Sequence, residues 1–193
     1  MTRQDNSNPL KEIPLLETAR LVLRAFSTDD KNDIFEYASV KEVTDFLPWD
    51  AHQTPDDTKA FLKMSREMFK KYSNIDFAIL LKQENKVIGG ISIRKWNDNN
   101  RCADIGYVLS SKYWRRGIIT EAIKRIIKFG FEDLNLNRIE AHCDENNTGS
   151  YRAMEKAGMK YEGTLREKTF MKGKYINMKF YSILKNEYTN DAC

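Results

Sequence analysis

Cysteine and histidine are both scarce in this chain, which has three of the first and two of the second among 193 residues. Cys102, Cys143 and Cys193 form neither a CxxC pair nor an even set, so the sequence predicts no disulfide framework. His52 and His142 lack the spacing of metal ligands, so no zinc or iron site is expected. Unpaired thiols of this kind are typical of a reducing compartment, and we expect a cytoplasmic protein without a metal.

Long apolar runs are lacking as well. No run approaches the roughly 18 residues of a transmembrane helix, and the polar first eleven residues have no apolar core of a secretory signal. The net charge of +4 comes from 32 basic and 28 acidic residues. These charges are interspersed along the whole chain, which argues against a dedicated nucleic-acid surface. We therefore expect no membrane or direct nucleic-acid contact, although an anionic cofactor remains compatible with this charge.

Hydrophobic periodicity predicts one domain with the element order β-α-α-β-β-β-α-β-α-β-β. Apolar and alternating segments predict strands at 20–26, 77–81, 87–93, 103–109, 138–143, 164–171 and 175–184. Start and stop signals predict helices at about 28–38, 54–69, 117–133 and 150–157. We expect a flexible tail at 1–16, the domain at 17–188 and a C-terminal tail at 189–193.

The segment from Tyr113 to Ala122 is the most informative part of the chain. It is a basic turn with Arg115, Arg116 and Gly117 that leads directly into an amphipathic helix. The first turn of a helix has backbone N–H groups without intrahelical partners, and the macrodipole adds partial positive charge there. The turn therefore predicts a cradle for a phosphate or pyrophosphate. An ordinary solvated basic helix terminus is an equally good interpretation of this segment alone.

The same turn resembles the cofactor motif of the GNAT superfamily of acyl-CoA-dependent N-acyltransferases, which reads Gln or Arg, two residues, Gly, one residue, then Gly or Ala. In this chain the six positions run from Trp114 to Ile119, with Gly117 at the central glycine. Trp114 is an ordinary occupant of its position in the branch that includes the ribosomal-protein N-terminal acetyltransferases. Ile119 is a departure, because its side chain must point away from the pyrophosphate.

Further blocks resemble that branch over residues 17–188. They include Asn147-Thr148-Gly149-Ser150, Glu155-Lys156-Ala157-Gly158-Met159, Tyr161-Glu162-Gly163, Leu47-Pro48-Trp49 and Ile105-Gly106-Tyr107-Val108-Leu109. The resemblance implies an α+β fold of α/β/α layers, with a single mixed, mostly antiparallel sheet of about seven strands flanked by helices. It also implies acetyl-CoA as cosubstrate, transfer of the acetyl group to an amine, and no metal.

The resemblance assigns the cofactor to three groups of residues. The pyrophosphate is expected on the backbone of Arg115, Arg116, Gly117, Ile118, Ile119 and Thr120. The pantetheine is expected beside Tyr107, Val108 and Leu109, where the strand separates from its neighbour, with a backbone N–H near Val108 polarising the thioester. Asn147 and Ser150 complete the cofactor set. From the residues alone, Asn147 is a simple turn or cap residue.

The catalytic predictions are Ser150 and Asp104. Many family members have a tyrosine proton donor four residues after Ser150, but this chain has Met154 there, so Ser150 is the remaining donor for the departing thiolate. Ser150 could equally be the N-cap of its helix. Asp104 lies where some members have a catalytic glutamate, with a solvent-facing strand residue as the alternative and Glu140 as a weaker base. No Ser-His-Asp or Cys-His arrangement is indicated.

The acceptor amine is left open between two enzyme hypotheses. An α-amine with a pKa near 8 is about a tenth neutral at pH 7 and needs only a modest base. We therefore expect a protein N-terminus, such as that of a ribosomal protein, ahead of a small amine such as a polyamine, an aminoglycoside or an amino-acid analogue. An acidic cluster would favour the small polycation, and the sequence offers Asp45, Asp50, Asp56 and Asp57.

A non-catalytic acyl-CoA-binding module is a third hypothesis for the function of the chain. A homodimer through the last hairpin is also open.

Overall fold

A computed structural model describes residues 10–71, 74–97 and 99–189. Most of the predicted N-terminal tail, nearly all of the C-terminal tail and Cys193 lie outside the described residues. The strands are β1 Leu16–Glu17, β2 Leu21–Ala25, β3 Asn74–Leu81, β4 Lys86–Asn97, β5 Cys102–Leu109, β6 Arg138–Asp144, β7 Lys160–Met171 and β8 Lys174–Leu184. The helices are α1 Lys31–Ala38, α2 Lys41–Thr44, α3 Pro55–Lys70, α4 Ile118–Glu132 and α5 Thr148–Lys156.

The strands form one mixed sheet in the order β1-β2-β3-β4-β5-β6-β8-β7. Neighbours in the described sheet are antiparallel except for β5 and β6, which run parallel because α4 connects them. The predicted α+β class and the mostly antiparallel sheet are confirmed, with eight strands in place of about seven. The additional strand, β1, begins at Leu16 inside the segment predicted as a tail, and Leu10 and Ile13 pack against the core.

Helices cover both faces of the sheet. On one face, α4 buries Ile123 and Ile126 completely, and α5 contributes Met154 to the same core. On the other face, α1 and the short α2 form a smaller apolar cluster that includes Ile34 and Val43. This arrangement gives the predicted α/β/α layers, with the helix that follows the basic turn packed on the opposite face from α1 and α2.

Most helix ends agree with their sequence signals. Thr54 and Asp57 form a capping box at the start of α3, and Gly158 follows α5 with a left-handed φ of 92°. The prediction for the start of α5 was wrong. The helix begins at Thr148, and its N-cap is Asn147, whose side-chain oxygen accepts a hydrogen bond from the Ser150 N–H at 3.1 Å. Asn is as good an N-cap as Ser, so the cap signal alone could not choose between them.

Candidate active site

A gap opens in the sheet where β5 and β6 separate. The two strands pair only from Cys102 to Ile105 and from Arg138 to Ala141, whereas β5 continues to Leu109 and β6 to Asp144. On its other edge, β5 stays paired with β4 as far as Leu109. The backbone groups of residues 106–109 that face β6 are thus unpaired with β6 and, apart from the Leu109 carbonyl, open to an extended ligand. This is the separation that the family resemblance implies.

The basic turn closes the wide end of this gap. The Trp114 indole N–H donates to the Leu109 carbonyl at 2.8 Å and ties the turn to the last residue of β5. Arg115 and Gly117 both have left-handed backbones, with φ of 61° and 72°. Alternating left-handed and extended or helical residues direct successive N–H groups toward one concavity, which is a general anion-binding geometry.

The start of α4 adds further donors to that concavity. The first intrahelical hydrogen bond runs from the Glu121 N–H to the Gly117 carbonyl at 3.1 Å. The N–H groups of Ile118, Ile119 and Thr120 therefore have no acceptor within the helix. Ile118 itself is buried, so its side chain anchors the turn while the backbone faces outward.

Arg20 holds this turn from the side, a role that the sequence analysis missed. Its guanidinium donates to the Arg116 carbonyl at 2.9 Å and pairs with Glu121 at 2.6 Å. Glu121 also accepts from the Thr18 hydroxyl at 2.6 Å. Burial opposes ionisation of Glu121, yet the bonds from Thr18 and Arg20 keep its pKa below the usual range. The Thr18-to-Arg24 block was recognised only as part of the resemblance, because nothing local links Arg20 to a residue about a hundred positions away.

The hydroxyls of Tyr107 and Ser150 meet on the α5 side of the gap, 2.9 Å apart. Tyr107 is also within 3.1 Å of the Ser150 carbonyl, to which it can donate. Burial raises the pKa of Tyr107 above its usual range despite the bond to Ser150, so the phenol is protonated at neutral pH. Asn147 uses its side-chain oxygen as the α5 cap, which leaves its amide nitrogen as a donor.

Cys143 lies near this hydroxyl pair and is buried. Burial raises the pKa of its thiol to about 11, although a hydrogen bond with Ser150 favours the thiolate. A thiol rather than a thiolate is therefore present at neutral pH, and a protonated thiol is a weak nucleophile.

Asp104 lies on the opposite face of β5, among partners that the sequence did not reveal. Its carboxylate is 2.6 Å from Arg94 Nη2 and 2.8 Å from His142 Nδ1, and the residue is only 5% exposed. Burial opposes its ionisation, but the His142 hydrogen bond and the Arg94 charge outweigh burial and lower the pKa. Asp104 is thus neither solvent-facing nor free to accept a proton readily. Glu140, the weaker alternative, is paired with Arg138 at 2.7 Å.

Within residues 10–71, 74–97 and 99–189, no group of three or more His, Cys, Asp or Glu side chains is arranged to hold a metal. In the same ranges, no helix has the length and apolarity needed to cross a membrane.

Comparison with known proteins gives consistent matches. The family model described as an acetyltransferase (GNAT) domain matches residues 20–160. An uncharacterized N-acetyltransferase of Bacillus licheniformis, p20, is 32% identical over 90% of this chain and 97% of its own length. A solved GNAT-family acetyltransferase from Bacillus anthracis is 31% identical, with a TM-score of 0.80 over 90% of this chain and 99% of that one.

Two more distant matches have an acceptor in their names. A ribosomal-protein-S5-alanine acetyltransferase from Vibrio fischeri superimposes with a TM-score of 0.78 at 23% identity, over 91% of this chain and 99% of its own. The spermidine N(1)-acetyltransferase of Vibrio cholerae is 23% identical over 89% of this chain and 97% of its own length. At this level of identity the solved neighbour indicates the fold only.

Proposed function

This chain belongs to the GNAT acetyltransferases, and from that premise we propose that it transfers acetyl from acetyl-CoA directly to the N-terminal α-amine of a protein, such as a ribosomal protein. The family makes the chain an acyltransferase that acts on an amino group. The observation that carries the cofactor part of the proposal is the gap between β5 and β6, which ends at the nest of N–H groups from Arg115 to Thr120.

In the proposed complex, the cofactor pyrophosphate binds the backbone N–H groups of the turn, with Arg115 and Arg116 adding charge. The pantetheine lies along residues 106–109 of β5, whose free backbone groups pair with its amides. The Asn147 amide nitrogen donates to the same arm. A backbone N–H near Val108 polarises the thioester carbonyl as the tetrahedral oxyanion forms.

Ser150 is the proposed proton donor to the departing thiolate. When the Tyr107 hydroxyl donates to Ser150 Oγ, the serine hydrogen can be donated elsewhere. In the chain alone the Cys143 sulfur is its acceptor, and in the proposed complex it turns to the departing sulfur. Since Asn147 already caps α5, the serine hydroxyl is not needed for that purpose. The reaction is balanced when the C–N bond forms, the C–S bond breaks, the amine loses one proton and the thiolate gains one.

The preference for an α-amine over a polycation is supported by the state of the acidic residues. Asp45 pairs with Lys41 at 2.8 Å and Asp56 with Lys59 at 2.6 Å. Asp57 is used by the α3 capping box, and Asp50 is 3.7 Å from Lys172. Each carboxylate already has a partner within the chain, so the group is not an open acidic patch of the kind that attracts polyamines.

The test is a thiol-release assay on a panel of acceptors. A peptide with a free α-amine should be acetylated near pH 7, while the same peptide blocked at its N-terminus but containing lysine should not. The two amines differ by about 2.5 pKa units, or roughly 3.4 kcal/mol, which a lysine-directed site must supply. Faster acetylation of spermidine than of every peptide would reverse this preference. Acetyl-CoA binding without turnover of any amine would favour the non-catalytic module.

A further inference from the structure

We infer that His142 is the general base of the proposed acetyl transfer and that Asp104, predicted as the base, instead positions its imidazole. The inference rests on the proposed function and adds a catalytic residue to it. Across the β5–β6 pair, Asp104 is paired with Glu140, and His142 lies two residues further along β6. The Nδ1 of His142 is directed at the Asp104 carboxylate, 2.8 Å away.

The pair fixes the tautomer of the imidazole. Arg94 keeps a second contact to Asp104 at 2.6 Å, so the buried carboxylate stays ionised and acts only as an acceptor. Nδ1 of His142 must then carry the hydrogen, and the lone pair of the neutral ring lies on Nε2. The contact between Arg94 and Asp104 requires a glycine at position 106, because a Cβ added to Gly106 would overlap the Arg94 guanidinium.

The position of His142 matches the start of the gap. Ile105 and Ala141 are the last paired residues of β5 and β6, so His142 is the first residue of β6 beyond the pairing. Side chains alternate along a strand, which places His142 on the face away from Cys143 and α5. The residue opposite it on β5 is Gly106, two residues or about 7 Å from Val108. An imidazole and the attacking amine together can bridge that distance.

The surroundings of the ring suit a base that is reached by substrate. Phe180 of β8 stacks against it, with ring centroids 5.4 Å apart and planes 23° from parallel, which restricts its rotation. The His142 side chain is 26% exposed, whereas Asp104 is nearly inaccessible. Asp104 holds the Nδ1 edge of the ring and Phe180 covers one of its faces. The part of the ring that stays exposed can exchange a proton with the acceptor amine.

The charged groups that face the ring come from three strands. Asp104 belongs to β5, and Arg94 of β4 lies behind it. On β6 itself, Glu140 and Asp144 share the strand face, but Glu140 is paired with Arg138 and Asp144 accepts hydrogen bonds from Asn146. The β8 neighbour is the uncharged Phe180. Asp104 is thus the one carboxylate in direct contact with the imidazole among the described residues.

The proton balance is simple. The amine nitrogen attacks the thioester carbonyl and passes one proton to Nε2, and the resulting imidazolium is stabilised by the Asp104 carboxylate. The C–S bond then breaks, and Ser150 protonates the thiolate and takes a replacement proton from solvent. The imidazolium releases its proton to solvent before the next turnover, which requires no further reactant.

The experiment compares His142→Gln, Asp104→Asn and Glu140→Gln with the wild type. We measure kcat/KM from about pH 5.5 to 9, with acetyl-CoA and the peptide that has a free α-amine. Both the amine and a histidine base must be unprotonated to react, so the base makes kcat/KM rise more steeply with pH than the ionisation of the amine alone would. His142→Gln should lower kcat/KM by about 100-fold or more at pH 7 and remove that additional steepness, leaving only the ionisation of the amine.

The other two variants separate positioning from chemistry. Asp104→Asn should lower kcat/KM and displace the acidic limb of the pH profile, a change that a purely structural carboxylate would not cause. Glu140→Gln, a carboxylate loss on the same strand face, should keep the wild-type profile. Each variant should retain the thermal shift caused by acetyl-CoA, which checks that the fold and the cofactor site are intact.

A second measurement does not depend on turnover. The chain has only two histidines, so ¹⁵N-histidine NMR can be assigned with His142→Gln. The wild type should show His142 with its hydrogen on Nδ1. Hydrogen on Nε2, a His142→Gln enzyme within threefold of wild type, or an equal loss in Glu140→Gln would each overturn the inference while the proposed function stands. A wild type that acetylates no amine would instead overturn the proposed function and, with it, this inference.

Discussion

Two contacts of Ser150 decide what the loss of its hydroxyl should do to the structure. Tyr107 lies 2.9 Å from it, and Asn147 performs the capping of α5. Removing the serine hydroxyl therefore leaves the helix capped, and Tyr107 keeps the Ser150 carbonyl as an acceptor at 3.1 Å. Structural and catalytic roles of this residue can be separated in one variant.

We expect Ser150→Ala to lower kcat by about 100-fold, because a positioned proton donor typically contributes that much or more. The affinity for acetyl-CoA and the melting temperature should stay close to wild type. Kinetics at saturating acetyl-CoA, combined with calorimetry, provide the measurement. Unchanged turnover with a clear loss of stability would show that the serine is structural.

Glu162 offers a prediction about pH and stability. Arg138 contacts both of its oxygens, at 2.8 and 2.5 Å, and Ser182 donates to it at 2.6 Å. The Arg138 hydrogen bonds come first among the causes that lower the pKa of Glu162 to about 2. A carboxyl group with a depressed pKa stabilises the fold above its unfolded pKa, and that contribution is lost as the pH falls through the folded value.

The wild type should therefore lose more stability than Glu162→Gln between about pH 4.5 and pH 2. Above pH 5 the difference between the two should be constant. Urea unfolding at several pH values gives the comparison. Since Glu162 is partly exposed, added salt should reduce the difference. Parallel loss in both proteins would indicate that other carboxylates dominate acid unfolding.

At the same scale, the sequence offers candidate residues but not their partners. Ser150, Asn147 and Asp104 are candidates from the sequence, whereas the contacts of Asp104 with Arg94 and His142 are seen only in the structure. Arg94 is ten residues from Asp104, and His142 is 38 residues away. Only the register between strands brings the three residues together. The alternation of apolar and polar residues along a strand does not show which residues it faces on the neighbouring strand. Nothing in the sequence around His142 marks it as a partner of Asp104.

Among the elements, the turn before α4 carries the cofactor proposal. Gly117 has a φ of 72°, and a Cβ there would have only the Arg20 guanidinium within 4 Å, at 3.7 Å. A side chain is therefore disfavoured by backbone conformation rather than by a protein clash. Gly173, at the tip of the β7–β8 hairpin, has a similar φ of 79° and no atom within 4 Å of an added Cβ.

These two glycines make a matched pair. Valine at either position should cost about 1–2 kcal/mol, because a β-branched residue is strained at positive φ. Only Gly117→Val should also lose the thermal shift produced by acetyl-CoA, since its side chain occupies the space of the pyrophosphate. Differential scanning fluorimetry of both variants, with and without acetyl-CoA, measures this. A normal shift in Gly117→Val would contradict the anion cradle.

Element boundaries show which signals are reliable. The capping box at Thr54 and the glycine after α5 are local chemistry, and the structure has both. The two-residue β1 was missed because a strand this short has no periodicity to detect, and only its pairing with β2 defines it. The resemblance implies only a mixed, mostly antiparallel sheet, and the parallel pairing of β5 with β6 is seen first in the structure because strand neighbours are set by tertiary packing.

At the scale of the whole molecule, the eight-stranded sheet is bound on both faces by helices, and at the gap β5 and β6 stop pairing although both strands continue. A ligand that fills this gap with its amides and carbonyls extends hydrogen bonding across β5 and β6. Such a ligand binds the folded chain and not the unfolded one. Its effect on stability then follows from mass action alone.

Acetyl-CoA at a hundred times its dissociation constant should stabilise the fold by about 2.7 kcal/mol. For a chain of this length, roughly 2–4 °C per kcal/mol converts this to a rise of about 5–10 °C in melting temperature. ATP and NAD share the phosphates but lack the pantetheine, so at equal concentration they should give a much smaller rise. Scanning calorimetry with the three ligands distinguishes a site that binds only the phosphates from one that also binds the pantetheine between β5 and β6. Equal shifts for all three would mean that the space between β5 and β6 adds nothing to binding.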